Sequence, residues 1–164
     1  MADSQELEHI KNLIKSGFFR SHNIDSLTLS SQVQLISLRR TNQMLRLCVF
    51  LEAYRRKHQS VFEPLLERKS LYHAMNSLFG VSIIEAQQYE LKDIVILFHS
   101  TITEHQYPSF AKETIDKLND EIINLSNNCK NNWKCVSEEH RYISDYFWEE
   151  FPIEEAHRIL GKLI

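Results

Sequence analysis

Histidine is the side chain of this sequence best suited to chemistry, because eight of the 164 residues are histidines. A helical metal site needs two ligands one turn apart, at positions i and i+4. His99 and His105 are six residues apart, which places them on different faces of a helix. Glu104 is adjacent to His105 and therefore also points elsewhere. We expect these histidines to pack or to form hydrogen bonds, and we predict neither a metal site nor a cofactor.

One arginine and one histidine have the spacing of a nuclease site. Helical nucleases of the HEPN class place an arginine about four to six residues before a histidine on one helix, where the arginine stabilises phosphate charge and the histidine transfers protons. Arg68 and His73 match that spacing. Ser70 lies between them, however, and is a typical helix N-cap. We therefore predict no catalytic residues, and an RNase using Arg68 and His73 stays an alternative.

The C-terminal part of the chain combines acidic and aromatic side chains. Residues 138–158 contain seven acids and two arginines. In an interface, aromatic side chains supply contact area and acids steer a basic partner. The pattern predicts a face that binds a basic protein, formed by Glu138, Glu139, Tyr142, Asp145, Tyr146, Trp148, Glu149, Glu150, Glu154 and Glu155.

Basic side chains are concentrated earlier in the chain. From Arg39 to Lys69 there are eight bases and three acids, and Arg55, Arg56 and Lys57 form the densest cluster. Bases interact favourably with the dipole at the C-terminal end of a helix, so we predict a helix end there. Weak contact of these three residues with nucleic acid is the alternative. A net charge of −3 and a pI near 6.2 argue against a general nucleic-acid binder.

Composition and apolar spacing predict an all-α fold. Glycine and proline occur only three times each, too few for the tight turns of an all-β fold. We expect a single helical domain over residues 1–164, built as a bundle of seven to nine helices. The densest apolar run, Leu91 to Phe98, suggests that a helix at about 83–105 is the buried centre.

Capping residues predict several helix ends. Gly17 is a natural end for the first helix. Ser30 or Ser31 caps a long helix to about His58, with a break near Thr41. Ser82 and Glu85 form a capping box. Three further boundaries are predicted: a short helix begins near Phe62, a loop begins at Ser126, and a final helix runs from Pro152 to Gly161.

The ends and the cysteines predict a cytoplasmic protein. The N-terminal residues lack a continuous apolar segment, so we expect no signal peptide, and no window is apolar enough to span a membrane. Cys48 lies in an apolar run and reads as core. Cys129 and Cys135 have five residues between them and could pair or bind metal, but no second ligand pair has zinc-finger spacing. We predict reduced thiols.

About fifty residues resemble the mannitol operon repressor family. The resemblance rests on Glu63-Pro64-Leu65-Leu66, Leu78-Phe79-Gly80-Val81, Tyr89, His105 and Phe110. It implies an all-helical domain related to the HEPN class that acts by binding other proteins, without a dedicated DNA-binding motif. In that family an arginine or similar residue precedes the histidine at the helix end. His99 and Ser100 stand at those positions here, so the resemblance implies that a family nuclease site is lost.

These observations favour a non-enzymatic binding protein. Its most concrete form is a bacterial immunity or antitoxin protein that occludes a basic nuclease toxin with the acidic, aromatic face. The alternatives are a regulator like the mannitol repressor, acting through protein contacts, and an RNase of the HEPN type. Aromatic side chains near Trp133 and Trp148 would also allow a homodimer.

Overall fold

The fold is all-helical, as the sequence predicts. The computed structural model describes residues 2–25, 29–129 and 145–163. Seven α-helices occur in these residues: α1 (Ala2–Ser21), α2 (Ser31–His58), α3 (Arg68–Phe79), α4 (Ile83–Ala86), α5 (Leu91–Glu104), α6 (Ser109–Cys129) and α7 (Ile153–Leu160). A short 3-10 helix, Trp148–Glu150, precedes α7. None of the described helices combines the length and the apolar content that crossing a membrane requires.

Helix α2 forms the centre of the bundle. It packs against α1, α3, α5, α6 and α7, and buried side chains occur along most of its length. The segment predicted as the central helix, 83–105, is instead two helices, α4 and α5, separated at residues 87–90. Helix α5 buries one face only, and Ile96 on its other side is 65% exposed. The apolar positions of α5 follow helical spacing, which makes it an amphipathic outer helix.

The predicted start of α2 is confirmed, but the predicted break is absent. The Ser30 side chain caps the helix by accepting a hydrogen bond from the Val33 amide at 3.3 Å. Thr41 is helical, and its hydroxyl donates to the carbonyl of Ser37 in the same helix at 2.8 Å. Asn42 donates to the side chain of Asn119 on α6 at 2.7 Å. The side chains of Thr41 and Asn42 are therefore both hydrogen-bonded without interrupting the helix.

Of the other predicted helix boundaries, some are confirmed and some are wrong. The capping box of Ser82 and Glu85 is confirmed at the start of α4, and the last helix is confirmed between Pro152 and Gly161. The helix predicted near Phe62 is wrong, because residues 59–67 form a loop. The loop predicted from Ser126 is also wrong in part, since α6 continues to Cys129. Cys48 is buried in the core, and burial raises the pKa of its thiol. Cys135, the other member of the predicted alternative pair, lies outside the described residues.

Gly17 lies inside α1, so the predicted helix end there is wrong. The helix continues to Ser21. A Cβ atom at Gly17 would lie 2.1 Å from the backbone oxygen of Glu149 and 3.0 Å from its carbonyl carbon. The glycine therefore lets the segment before α7 lie directly on α1. A glycine kept for close approach and a glycine at a helix end have the same appearance in a sequence.

Gly17→Ala should lower the free energy of unfolding by about 1–3 kcal/mol. Alanine favours a helix by about 1 kcal/mol over glycine, so without a clash the change would stabilise α1. We expect Gly17→Ala to lower the free energy of unfolding instead, because the added Cβ would clash with backbone atoms of Glu149, which cannot rotate away as a side chain can. Urea unfolding followed by circular dichroism measures the difference. Ser16→Ala, at the exposed neighbouring position, is the control and should be close to neutral. Stabilisation by Gly17→Ala would contradict the close approach.

Candidate functional site

The predicted acidic, aromatic face is described only from residue 145 onwards. Glu138, Glu139 and Tyr142 lie outside the described residues. Asp145, Glu149 and Glu154 are exposed, and Tyr146 and Trp148 are half-buried. Glu155 is half-buried and forms an ion pair with Arg158. Part of the predicted face is thus available to a partner, and part is already engaged within the chain.

Glu150 does not belong to the surface, and its prediction as a partner contact is corrected. Its side chain has no accessible area. Arg40 Nη1 donates to both carboxylate oxygens at 2.9 and 3.0 Å, and His22 Nε2 lies 3.1 Å from Oε1. The backbone amide of Phe147 donates to Oε2 at 2.8 Å. Glu150 therefore joins the 145–151 turn to α2 and to the end of α1.

Aromatic side chains of the 145–151 turn are held by cations. The guanidinium carbon of Arg40 lies 3.4 Å from the ring centroid of Tyr146, and that of Arg68 lies 3.8 Å from the Trp148 ring. Such cation–π contacts contribute about 0.5–2 kcal/mol each. Phe147 packs edge-on against His22 with centroids 5.1 Å apart, yet stays 39% exposed. The turn is thereby fixed from inside while one aromatic edge still faces solvent.

Arg68 and His73, the residues of the nuclease alternative, both lie on α3. The helix begins at Arg68, so the prediction that Ser70 is its N-cap is wrong. Five residues correspond to about 140° around a helix, so the two side chains diverge. Arg68 lies over Trp148, whereas His73 Nδ1 is 2.8 Å from the Tyr54 hydroxyl. The two side chains thus have different neighbours, and the nuclease hypothesis stays a prediction.

A serine, a histidine and a glutamate line up beneath α3 in the order that hydrolases use. His157 Nε2 lies 3.1 Å from Ser70 Oγ, and its Nδ1 lies 2.8 Å from Glu52 Oε2. In such an arrangement the histidine can accept the serine proton while the carboxylate orients the ring. Ser70 and Glu52 have no accessible surface, however, and Ser70 Oγ is also 2.9 Å from the carbonyl of Glu67, to which it can donate. In this conformation the serine cannot meet a substrate, and the three residues connect α2, α3 and α7.

Glu52 also accepts hydrogen bonds from two residues of the predicted basic cluster, Arg55 and Arg56. Arg55 donates to both carboxylate oxygens, at 2.6 and 2.8 Å, and Arg56 Nε donates to Oε1 at 3.1 Å. Burial alone would raise the pKa of Glu52, but hydrogen bonds from His157, Arg55 and Arg56 lower it to about 2. Arg56 also donates to the carbonyl of Gly161 at the end of α7. The cluster does lie in the last turn of α2, and of its three bases Lys57 is exposed. Weak nucleic-acid contact there stays a prediction.

Sequence reasoning missed the residues that hold these two carboxylates. Glu52 and His157 are 105 positions apart, and Arg40 and Glu150 are 110 apart. Among these contacts, the spacing of Glu52 with Arg55 and Arg56 was the one local signal, since residues three and four apart share a helix face. Across the described residues, no group of three His, Cys, Asp or Glu side chains is placed to hold a metal ion. Comparisons with protein-family models, with curated proteins and with solved structures find no match to this chain.

Proposed function

We propose that this chain is a non-enzymatic binding protein that takes a basic protein partner on the 145–151 turn and the start of α7. One observation carries the proposal: Glu150 is fully buried against Arg40 and His22, while Asp145 and Glu149 on the same turn are exposed. A turn fixed in this way presents its outer side chains in one geometry. Binding then costs less conformational entropy than it would from a loose loop.

The outer side chains suit a basic partner. Asp145, Glu149 and Glu154 offer exposed carboxylates, and Phe147 offers an apolar edge 39% exposed. Carboxylates at the edge of an interface speed the encounter with Lys and Arg, and an aromatic side chain supplies much of the contact energy. The most concrete partner is a nuclease toxin, because a nuclease needs a positively charged face for the phosphate backbone. An immunity or antitoxin protein would cover that face with acids.

The buried carboxylates support a binding role over a catalytic one. The Ser70–His157–Glu52 arrangement is the constellation closest to a catalytic site in the described residues, and its serine has no accessible surface. A serine nucleophile must be able to contact its substrate, whereas the carboxylate that orients the histidine need not. The regulator and RNase alternatives stay predictions.

Charge reversal on the proposed face tests the function. Where the adjacent gene encodes a basic nuclease toxin, the triple variant Asp145→Lys, Glu149→Lys, Glu154→Lys should bind that toxin at least about tenfold more weakly than wild type. Biolayer interferometry at two salt concentrations measures this. The matched control reverses three exposed acids on α6, Asp116, Asp120 and Glu121, and has the same net charge.

Three results would contradict the proposal. Equal losses in both triple variants would show that total charge, and not this face, determines binding. Unchanged binding in the first triple variant would show that the partner does not bind at the 145–151 turn and the start of α7. RNA cleavage by the pure wild-type protein that His73→Ala abolishes would favour the RNase instead.

A further inference from the structure

Exposed apolar side chains are concentrated at the two ends of α3. In the described parts of the chain nine large apolar side chains are exposed, and six of them belong to these ends: Val61, Phe62, Leu66, Leu78, Ile83 and Ile84. Val61 is 98% and Phe62 is 97% exposed, so the described residues make hardly any contact with them. Removing such side chains from water is favourable, so a cluster left in water indicates a surface that a partner covers.

The loop that carries Val61 and Phe62 is held in place by hydrogen bonds. The amide of Ser60 donates to the carbonyl of Glu63 at 2.9 Å, and the Glu63 carboxylate accepts from the Leu65 amide at 3.1 Å. Leu65 is buried beneath the loop, although its φ of 51° is uncommon for a residue with a side chain. Such a conformation persists only where surrounding contacts enforce it. The chain therefore holds Val61 and Phe62 outwards.

The two ends of α3 carry opposite charge. Residues 52–69 contain five bases and three acids, a net charge of +2, with Lys57 and Lys69 exposed. Residues 83–93 contain three acids and one base, a net charge of −2, with Glu90 and Asp93 exposed. A groove of about 290 Å³ at this acidic end is lined by Glu85, Gln88, Tyr89 and Asp93. The ends are separated by the 12 residues of α3, or about 18 Å.

We propose that this surface binds a second copy of the chain, with the two α3 helices antiparallel. A two-fold axis near the middle of α3 places the basic, apolar 59–67 loop of one protomer on α4 and the acidic groove of its partner. The same contact then occurs twice, as a symmetric dimer requires. Two apolar ends of opposite charge are complementary to each other in this orientation and in no parallel one. The exposed acids of the proposed toxin-binding face, Asp145, Glu149 and Glu154, take no part in it.

Charge exchange between the ends tests this arrangement. The basic-end variant Lys57→Glu, Lys69→Glu changes the net charge of residues 52–69 from +2 to −2, and the acidic-end variant Glu90→Lys, Asp93→Lys changes that of residues 83–93 from −2 to +2. Light scattering after gel filtration should give wild type twice the monomer mass of 19.4 kDa. Each variant alone should be monomeric, because like charges then meet at both contacts. A mixture of the two variants should form a heterodimer, since both contacts are complementary again.

A second variant separates dissociation from misfolding. Phe62→Ser alters a side chain that contacts little in its own chain, so the fold should keep its circular dichroism and its melting temperature while the dimer dissociates. Ile123→Ser, at a 56% exposed position on α6, is the matched control and should stay dimeric. Wild-type protein that is monomeric at about 100 μM would overturn the proposal. A dimer that survives Phe62→Ser, or variants that fail to form the heterodimer, would overturn it equally.

Discussion

Glu52→Gln should lower the free energy of unfolding by about 3–5 kcal/mol at pH 7, one of the two largest effects expected in this chain. The carboxylate has no accessible surface and accepts hydrogen bonds from Arg55, Arg56 and His157. A glutamine fills nearly the same space, but it cannot accept from all these donors or balance their charge. Because Glu52 joins α2 to α7 through His157, we expect α7 to separate first. Urea unfolding followed by circular dichroism measures the loss.

The pH dependence gives this prediction a second, independent readout. The folded protein holds the pKa of Glu52 at about 2, below its ordinary value of 4.5. A carboxylate whose pKa is lower in the folded state stabilises the fold above its unfolded value, and the stabilisation is lost as the pH falls towards the folded value. The loss should be on the order of 3 kcal/mol between pH 6 and pH 2. The difference between wild type and Glu52→Gln should therefore narrow as the pH is lowered.

Glu121→Gln controls for the general effect of removing one negative charge. Glu121 is exposed on α6, and its replacement should change the free energy of unfolding by less than about 0.5 kcal/mol. A difference between wild type and Glu52→Gln that stays constant from pH 7 to pH 3 would show that ionisation of Glu52 does not stabilise the fold.

Local signals in the sequence were enough for the fold class and several helix ends. The caps at Ser30 and Ser82 and the last helix after Pro152 each depend on neighbouring residues, so a linear pattern contains them. The central helix was harder to recognise. Arg40, Thr41 and Asn42 make the middle of α2 look polar, yet all three are buried because each has a partner inside the bundle. The apolar run Leu91 to Phe98 was denser but belongs to an outer helix.

The candidate site was less predictable because its key contacts join distant parts of the chain. Glu149 and Glu150 are adjacent acids, and the sequence cannot tell which of them faces solvent. The 3-10 helix turns one outwards and directs the other at Arg40 on α2. That choice also depends on Gly17, where the lack of a side chain lets the turn approach α1. Charge and aromatic content favour a basic partner, which stays a prediction, whereas the contacts that support the turn are visible only in the fold.

Glu150→Ala should destabilise the protein by about 3–5 kcal/mol, because it removes the buried carboxylate that Arg40 and His22 share. The adjacent Glu149→Ala is a close control, since that side chain is exposed and should cost less than about 0.5 kcal/mol. Urea unfolding of both variants compares them directly. Equal small effects would mean that the buried ion cluster contributes little to the stability of the fold.

Glu150 also links stability to the proposed binding, which gives the variant a further consequence. Its carboxylate holds the 145–151 turn to α2 through Arg40 and to the end of α1 through His22. It also accepts a hydrogen bond from the amide of Phe147 within the turn. Without it the turn should exchange its amide hydrogens faster than α2 does, even where the protein is still folded. Affinity for the basic partner should then fall although Glu150 never touches that partner, because the exposed acids lose their fixed geometry. A double-mutant cycle with Arg40→Ala should give a coupling energy of about 2 kcal/mol or more. Fast exchange with unchanged affinity would show that the turn supports the fold alone and that the partner binds elsewhere.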